Sequence, residues 1–160
     1  MKRLMEKELR IRPVTCGSHY MSNREIHNDK DAVDLLFEEL KDMATEKFMA
    51  LYLSSRGLPI CCHTVGIGSV NMCYVTTQTI AKMALVVNAA SVILLHNHPS
   101  GSMTPSPEDI KVTRKIEQAL DLLEIKLNDH IIVGSQGDSF SFLRKGIIGQ
   151  SAYETKVADA

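Results

Sequence analysis

The chain has 160 residues, 44% of them hydrophobic and 23% charged, with a formal net charge of −1. That length supports one domain with a core of its own, and the balanced charge gives no general attraction to nucleic acid or to an anionic membrane. No apolar stretch approaches the ~20 residues of a bilayer span, and the charged start, Met1 to Glu8, has no signal-peptide core, so the expected location is cytoplasmic, with no membrane partner.

Residues 1–24 form an N-terminal arm, made basic by Lys2, Arg3, Lys7, Arg10 and Arg12. It reads as a solvated arm or edge strand, with a nucleic-acid or partner-binding arm as the alternative. Residues 29–43 predict an amphipathic helix: Val33, Leu36, Phe37 and Leu40 follow the i, i+3, i+4, i+7 spacing, Met43 extends the stripe, and Asn28 or Asp29 caps it. Glu46 opens a strand over Phe48 to Leu53. A turn at Ser55-Arg56-Gly57 returns the chain through Leu58 to Val65, giving a hairpin. Gly66-Ile67-Gly68-Ser69 reads as a break, and Val70 to Val75 as a further short strand or an extended connection.

A second helix is expected over 77–89, capped by Thr76 or Thr77, with Ile80, Met83, Ala84 and Val87 inward. Ser91 to Leu95 is an apolar run of strand length, as for a buried central strand. A third helix spans about 107 to 124, with Ile116, Ala119, Leu120 and Leu123 as its buried stripe. Leu127 to Val133 and Asp138 to Leu143 are the last strands, and residues 150–160 are a polar tail after a domain at 25–149. Strands and helices alternate after an initial hairpin, so the expected fold class is α/β, a mixed sheet flanked by helices. The four cysteines, Cys16, Cys61, Cys62 and Cys73, contain no C-x-x-C pair, which argues against a cysteine zinc knuckle and, in a reducing compartment, against structural disulfides.

The chemistry concentrates where the central strand ends, at His96-Asn97-His98-Pro99-Ser100-Gly101 and on to Ser106 and Asp109. Side chains at i and i+2 of an extended segment share a face, so both imidazoles can converge on one point. A strand end, a tight loop and a helix start carrying His, His, Ser and Asp suit a divalent metal; catalytic zinc takes three protein ligands and leaves a fourth position for water. The bland reading of Ser106-Pro107-Glu108-Asp109 is a helix start, with Ser as N-cap, Pro at the first position and acids in the first turn. Capping explains Ser106 and Asp109 but not the two histidines beside them. His63 and His130, each in an apolar strand, read as hydrogen-bonded core or interface histidines and are only reserve ligands.

The spacing His96-x-His98, seven residues, Ser106, two residues, Asp109 resembles the JAMM metalloprotease signature of JAB/MPN domains. The surrounding text is most similar to the RadC-like branch: Glu46-Lys47-Phe48, Val86-Val87-Asn88-Ala89-Ala90, Ile93 to Gly101, Thr113, and Asp129-His130-Ile131-Ile132-Val133-Gly134. The likeness covers about residues 25–147, and it resembles the short forms that lack a helix-hairpin-helix region ahead of the domain. It departs at Thr76-Thr77-Gln78, where the family commonly shows Pro-Arg-Glu. The resemblance implies cytidine-deaminase-like α/β/α layers and one zinc per chain held by His96, His98 and Asp109. It implies Glu46 as general base and Ser106 as an oxyanion donor, in a metallopeptidase or isopeptidase acting on a protein or peptide tail. A DNA-repair or nucleic-acid-processing role and a non-catalytic metal-binding interaction module are the alternatives, and a homo-oligomer is left open. Against a nuclease, no Lys or Arg occurs between Lys82 and Lys111 to clamp phosphate beside the motif.

Overall fold

The computed structural model describes residues 23–41, 43–68 and 75–149. The N-terminal arm up to residue 22, the connection around 70–74, Cys16, Cys73 and the tail from 150 lie outside the described residues. In chain order the elements are α1 (Asp29–Leu40), β1 (Lys47–Leu53), β2 (Pro59–Ile67), α2 (Thr77–Val86), β3 (Ser91–Asn97), α3 (Pro107–Asp121), β4 (Lys126–Val133) and β5 (Ser139–Ser141). The strands form one mixed sheet in the order β2-β1-β3-β4-β5; β3 and β4 are parallel and the other pairs antiparallel.

Every residue of β1 and of β3 is buried, so their alternate side chains feed two separate cores. Phe48, Ala50 and Tyr52 of β1 and Val92 and Leu94 of β3 join Ile80 and Ala84 of α2 and Ile116 and Leu120 of α3 on one face. Met49, Leu51, Leu53, Ile93 and Leu95 meet Val33, Leu36 and Leu40 of α1 on the other. The result is an α/β/α sandwich, as the alternation of elements predicts.

Local signals place most boundaries. The Asn28 side chain accepts the Asp31 amide at 3.0 Å and starts α1. Thr76, not Thr77, caps α2. Ser54 and Gly57 close the hairpin turn, with Gly57 at φ 75°, a backbone state that suits glycine.

The helices end earlier than their apolar stripes suggest. α1 stops at Leu40, because the chain must turn to deliver β1. α2 stops at Val86, before Asn88 adopts φ 55°. α3 stops at Asp121, and Leu123, expected in its buried stripe, lies in the following turn and is 39% exposed. The expected break at Gly66 is also corrected. β2 runs to Ile67, pairing Gly66 with Phe48 and Ile67 with Lys47 across an irregular register. β3 extends past Leu95 to include His96 and Asn97, because β1 and β4 continue to pair with it there.

Candidate metal centre

The site sits where β3 gives way to the loop before α3. His96 is fully buried in β3 and points to the same face as Val92 and Leu94, while His98 follows directly after the strand. Asp109 is in the first turn of α3. It continues the inward stripe of that helix backwards from Ile116 and Leu120 through Thr113, at spacings of three or four residues. The stripe is apolar where it meets the core and polar where it meets the histidines.

His96 Nε2 and His98 Nε2 are 2.9 Å apart. Asp109 Oδ1 is 3.5 Å from the first and Oδ2 is 3.4 Å from the second. One ligating atom from each of His96, His98 and Asp109 fits within a 4.8 Å span. The ring orientation of His98 is set by its backbone partner. Nδ1 lies 2.7 Å from the Ser102 carbonyl oxygen, which can only accept, so Nδ1 carries a hydrogen and a neutral His98 presents a bare Nε2 to the cluster. A carboxylate and two bare ring nitrogens gathered this tightly repel one another unless a proton on His98 or a metal cation lies among them. Two imidazoles and one carboxylate are also a donor set that zinc accepts at catalytic sites. On these grounds the residues fit a metal.

The electrostatics agree. Burial drives His96 down to about 4, against the pull of Asp109, so it is neutral at physiological pH. His98 is pushed up, chiefly by its contact with the Asp109 carboxylate, while burial opposes the shift. Burial acts to raise Asp109, but His98, His96 and the Ser106 bonds outweigh it and hold the carboxyl well below the usual range. The N-terminal end of α3 also favours its negative charge.

The sequence offers Ser106 and Asp109 a bland reading as a helix cap beside the site role, and in the structure they form a reciprocal capping box. The Ser106 hydroxyl donates to Asp109 Oδ2 at 2.6 Å, the Ser106 amide donates to the same oxygen at 2.7 Å, and the Asp109 amide donates back to the Ser106 hydroxyl at 3.1 Å. The single hydroxyl hydrogen of Ser106 is therefore occupied by Asp109.

Glu46 is fifty residues from His96 in sequence, yet the sheet brings it close. Phe48 of β1 pairs with His96 of β3, and Glu46 immediately precedes β1. Its carboxyl is half-buried and raised above its ordinary value, first by burial and then by the charge of Asp109, with His98 pulling the other way. It therefore lies within electrostatic reach of Asp109 and His98.

Two neighbours of the cluster complete its surroundings: Asn97, whose contacts the sequence does not mark, and His130, which the sequence reads as a hydrogen-bonded core histidine. Asn97, between the two histidines, faces the opposite side of the sheet. Its Oδ1 accepts the Lys47 amide at 2.8 Å, and its Nδ2 donates to the carbonyls of Thr45 at 3.2 Å and Met43 at 3.4 Å. It thus grips the backbone on both sides of Glu46. His130 is fully buried on β4, bonded to His96 at 2.8 Å and to Thr113, and lies outside the ligand group. His63 is half-buried on β2 opposite Ala50 and is likewise outside that group.

Residues 26–147 match the family described as the RadC-like JAB domain. A UPF0758 protein of Shouchella clausii is 47% identical over 109 residues, covering 68% of this chain and 47% of that one. A UPF0758 protein of Caldanaerobacter subterraneus is 38% identical over 124 residues, covering 78% and 53%. YsxA of Bacillus subtilis, also a UPF0758 protein, is 39% identical over 121 residues, covering 74% and 52%. The chain spans about half the length of these relatives, and their names assign no reaction.

Proposed function

The chain belongs to the RadC-like JAB domain family, and from that premise we propose that it is a zinc-dependent hydrolase of peptide or isopeptide bonds, with a protein or peptide tail as substrate. The observation that carries the reading is the convergence of His96, His98 and Asp109 on one point, with the Glu46 carboxyl near enough to feel the charges of Asp109 and His98. Bound there by the two Nε2 atoms and the Asp109 carboxylate, zinc would supply a Lewis acid that polarises a carbonyl and brings the pKa of a water down to about 7.

The protein's own residues supply the rest. Glu46 acts as general base: its raised carboxyl is better matched to proton transfer near neutral pH than an ordinary glutamate. It takes the proton of the attacking water and returns it to the leaving amine. Phe48 stacks on His96 with ring centroids 5.5 Å apart, which holds the imidazole plane and excludes water from behind it. Ser106 can donate to the oxyanion only after its hydroxyl turns away from Asp109.

Glu46→Gln separates catalysis from binding. The amide keeps the size and a polar head but cannot accept the proton. Zinc measured on the purified variant should remain near one per chain, while hydrolysis of a peptide or isopeptide substrate falls at least ~10²-fold. Wild-type turnover in that variant would remove Glu46 from the mechanism. Zinc binding with no hydrolysis of any amide substrate would leave a metal-binding module, and salt-dependent DNA binding or cleavage would favour a nucleic-acid role.

A further inference from the structure

We propose that His130 and Thr113 are positioning residues that fix His96 in the tautomer with hydrogen on Nδ1, so that its Nε2 lone pair is turned into the metal site. The inference rests on the metal reading above and assigns work to two buried polar groups that the mechanism does not otherwise use.

The direction of each hydrogen bond follows from one carbonyl. Thr113 Oγ1 contacts the Asp109 backbone oxygen, which can only accept, so the threonine's single hydroxyl hydrogen is spent there. Thr113 Oγ1 must then accept from its other partner, His130 Nδ1. With its hydrogen on Nδ1, a neutral His130 has a bare Nε2. That atom lies 2.8 Å from His96 Nδ1, so His96 supplies the hydrogen between them. Its remaining nitrogen, Nε2, is left bare beside His98 and Asp109.

His96, His130 and Thr113 are each 0% exposed, so water cannot substitute for a missing partner in this chain. Phe142 stacks on His130 with centroids 4.5 Å apart, and Phe48 lies against both imidazoles, which keeps the two rings from turning over. The chain begins and ends on the same residue, Asp109: its backbone oxygen anchors Thr113, and its carboxylate meets His96 Nε2. A histidine ligand normally donates its second ring hydrogen to an outer partner that fixes tautomer and orientation. Here that partner is a neutral imidazole polarised through a hydroxyl, where a carboxylate or a carbonyl is more usual.

The test reads tautomers and zinc affinity, not turnover. In metal-free, histidine-labelled protein, long-range 1H–15N correlation should show His96 and His130 each protonated at Nδ1 and bare at Nε2. His130→Leu removes the acceptor, and its zinc affinity in a chelator competition should fall ~10–100-fold. His130→Gln offers an amide oxygen near the position of Nε2 and should recover most of that loss. Thr113→Val keeps the shape and should release the His130 tautomer, giving mixed signals for both rings. Hydrogen on His96 Nε2 in the wild type would overturn the proposal. So would a folded His130→Leu protein with wild-type zinc affinity. Should the leucine variant fail to fold, the wild-type tautomers and the Thr113→Val spectrum still decide. If the wild type binds no zinc, the metal reading fails, whereas the tautomer assignment is judged separately on the metal-free protein.

Discussion

Asn97 shows how a single side chain can tie two distant parts of a site together. A His-x-His motif leaves its middle residue free in the sequence, and nothing in the text marks it. In the fold the alternation of β3 turns it away from both histidines and toward the backbone that carries Glu46. Asn97→Ala leaves the buried Lys47 amide without its acceptor, and an unsatisfied donor of that kind costs about 1–3 kcal/mol. Denaturant unfolding should show a loss of that size, and hydrolysis should fall further than stability alone explains, with zinc content unchanged. Asn97→Asp keeps the acceptor but sets a carboxylate against the Met43 and Thr45 carbonyls, so it too should slow hydrolysis. Hydrolysis at the wild-type rate in both variants would mean that Glu46 is placed by other contacts. The same logic bounds what was legible residue by residue. His96, His98, Ser106 and Asp109 are close in sequence along one strand–loop–helix stretch, which marks them together as a possible metal site, while the choice of His96, His98 and Asp109 as the ligands rests on the family resemblance. The partnership of His130 with His96 depends on the β3–β4 register, and that of Thr113 on how α3 lies over the sheet, neither of which has a local signature.

At the scale of elements, α3 is both a structural helix and one wall of the site. Its capping box draws on the same Ser106 and Asp109 that the resemblance assigns to chemistry, and the two demands compete for one hydroxyl hydrogen. Ser106→Ala should cost about 1 kcal/mol of stability, the usual loss of a helix cap, seen as a lower denaturation midpoint. If the hydroxyl also serves the oxyanion, hydrolysis should drop by the equivalent of ~3–4 kcal/mol, well beyond the structural loss. A variant as stable as the wild type would show that the Ser106 amide and Asp109 sustain the cap unaided. Element types were readable because periodicity is local: Val33, Leu36 and Leu40 face inward as a 3.6-residue repeat demands. Ends were less readable, since Leu123 is as apolar as Leu120 and only the turn at Glu124, φ 57°, takes it out of the helix. The persistence of β2 through Gly66 and Ile67 comes from its pairing with β1, a tertiary effect that outweighs the glycine.

Across the whole molecule, the β3–α3–β4 unit sets the start of a helix beside the carboxyl end of a parallel strand, the usual place for a site in an α/β sheet. The donors come from two elements and the flanking carboxyl from a third, so a bound metal should brace the fold as well as the chemistry. At a zinc concentration ~100-fold above its Kd the gain is about 2.7 kcal/mol, which for a chain of this size raises Tm by roughly 5–10 °C. The pH dependence follows from His98. Its pKa is raised in the metal-free fold, so the His98–Asp109 pair stabilises that state fully below the ordinary histidine value of about 6.5. That contribution is lost as pH rises through the raised value. A metal must displace the same proton. The zinc-induced rise in Tm should therefore be largest near pH 8 and shrink as pH falls through the His98 transition. His96, held to about 4 by burial, adds no second proton to the competition in that window. Calorimetry with zinc or with a chelator across pH 8 to 5.5 measures this directly. A zinc effect that is flat across that range, or one that survives His98→Ala, would place the metal somewhere other than between these three side chains.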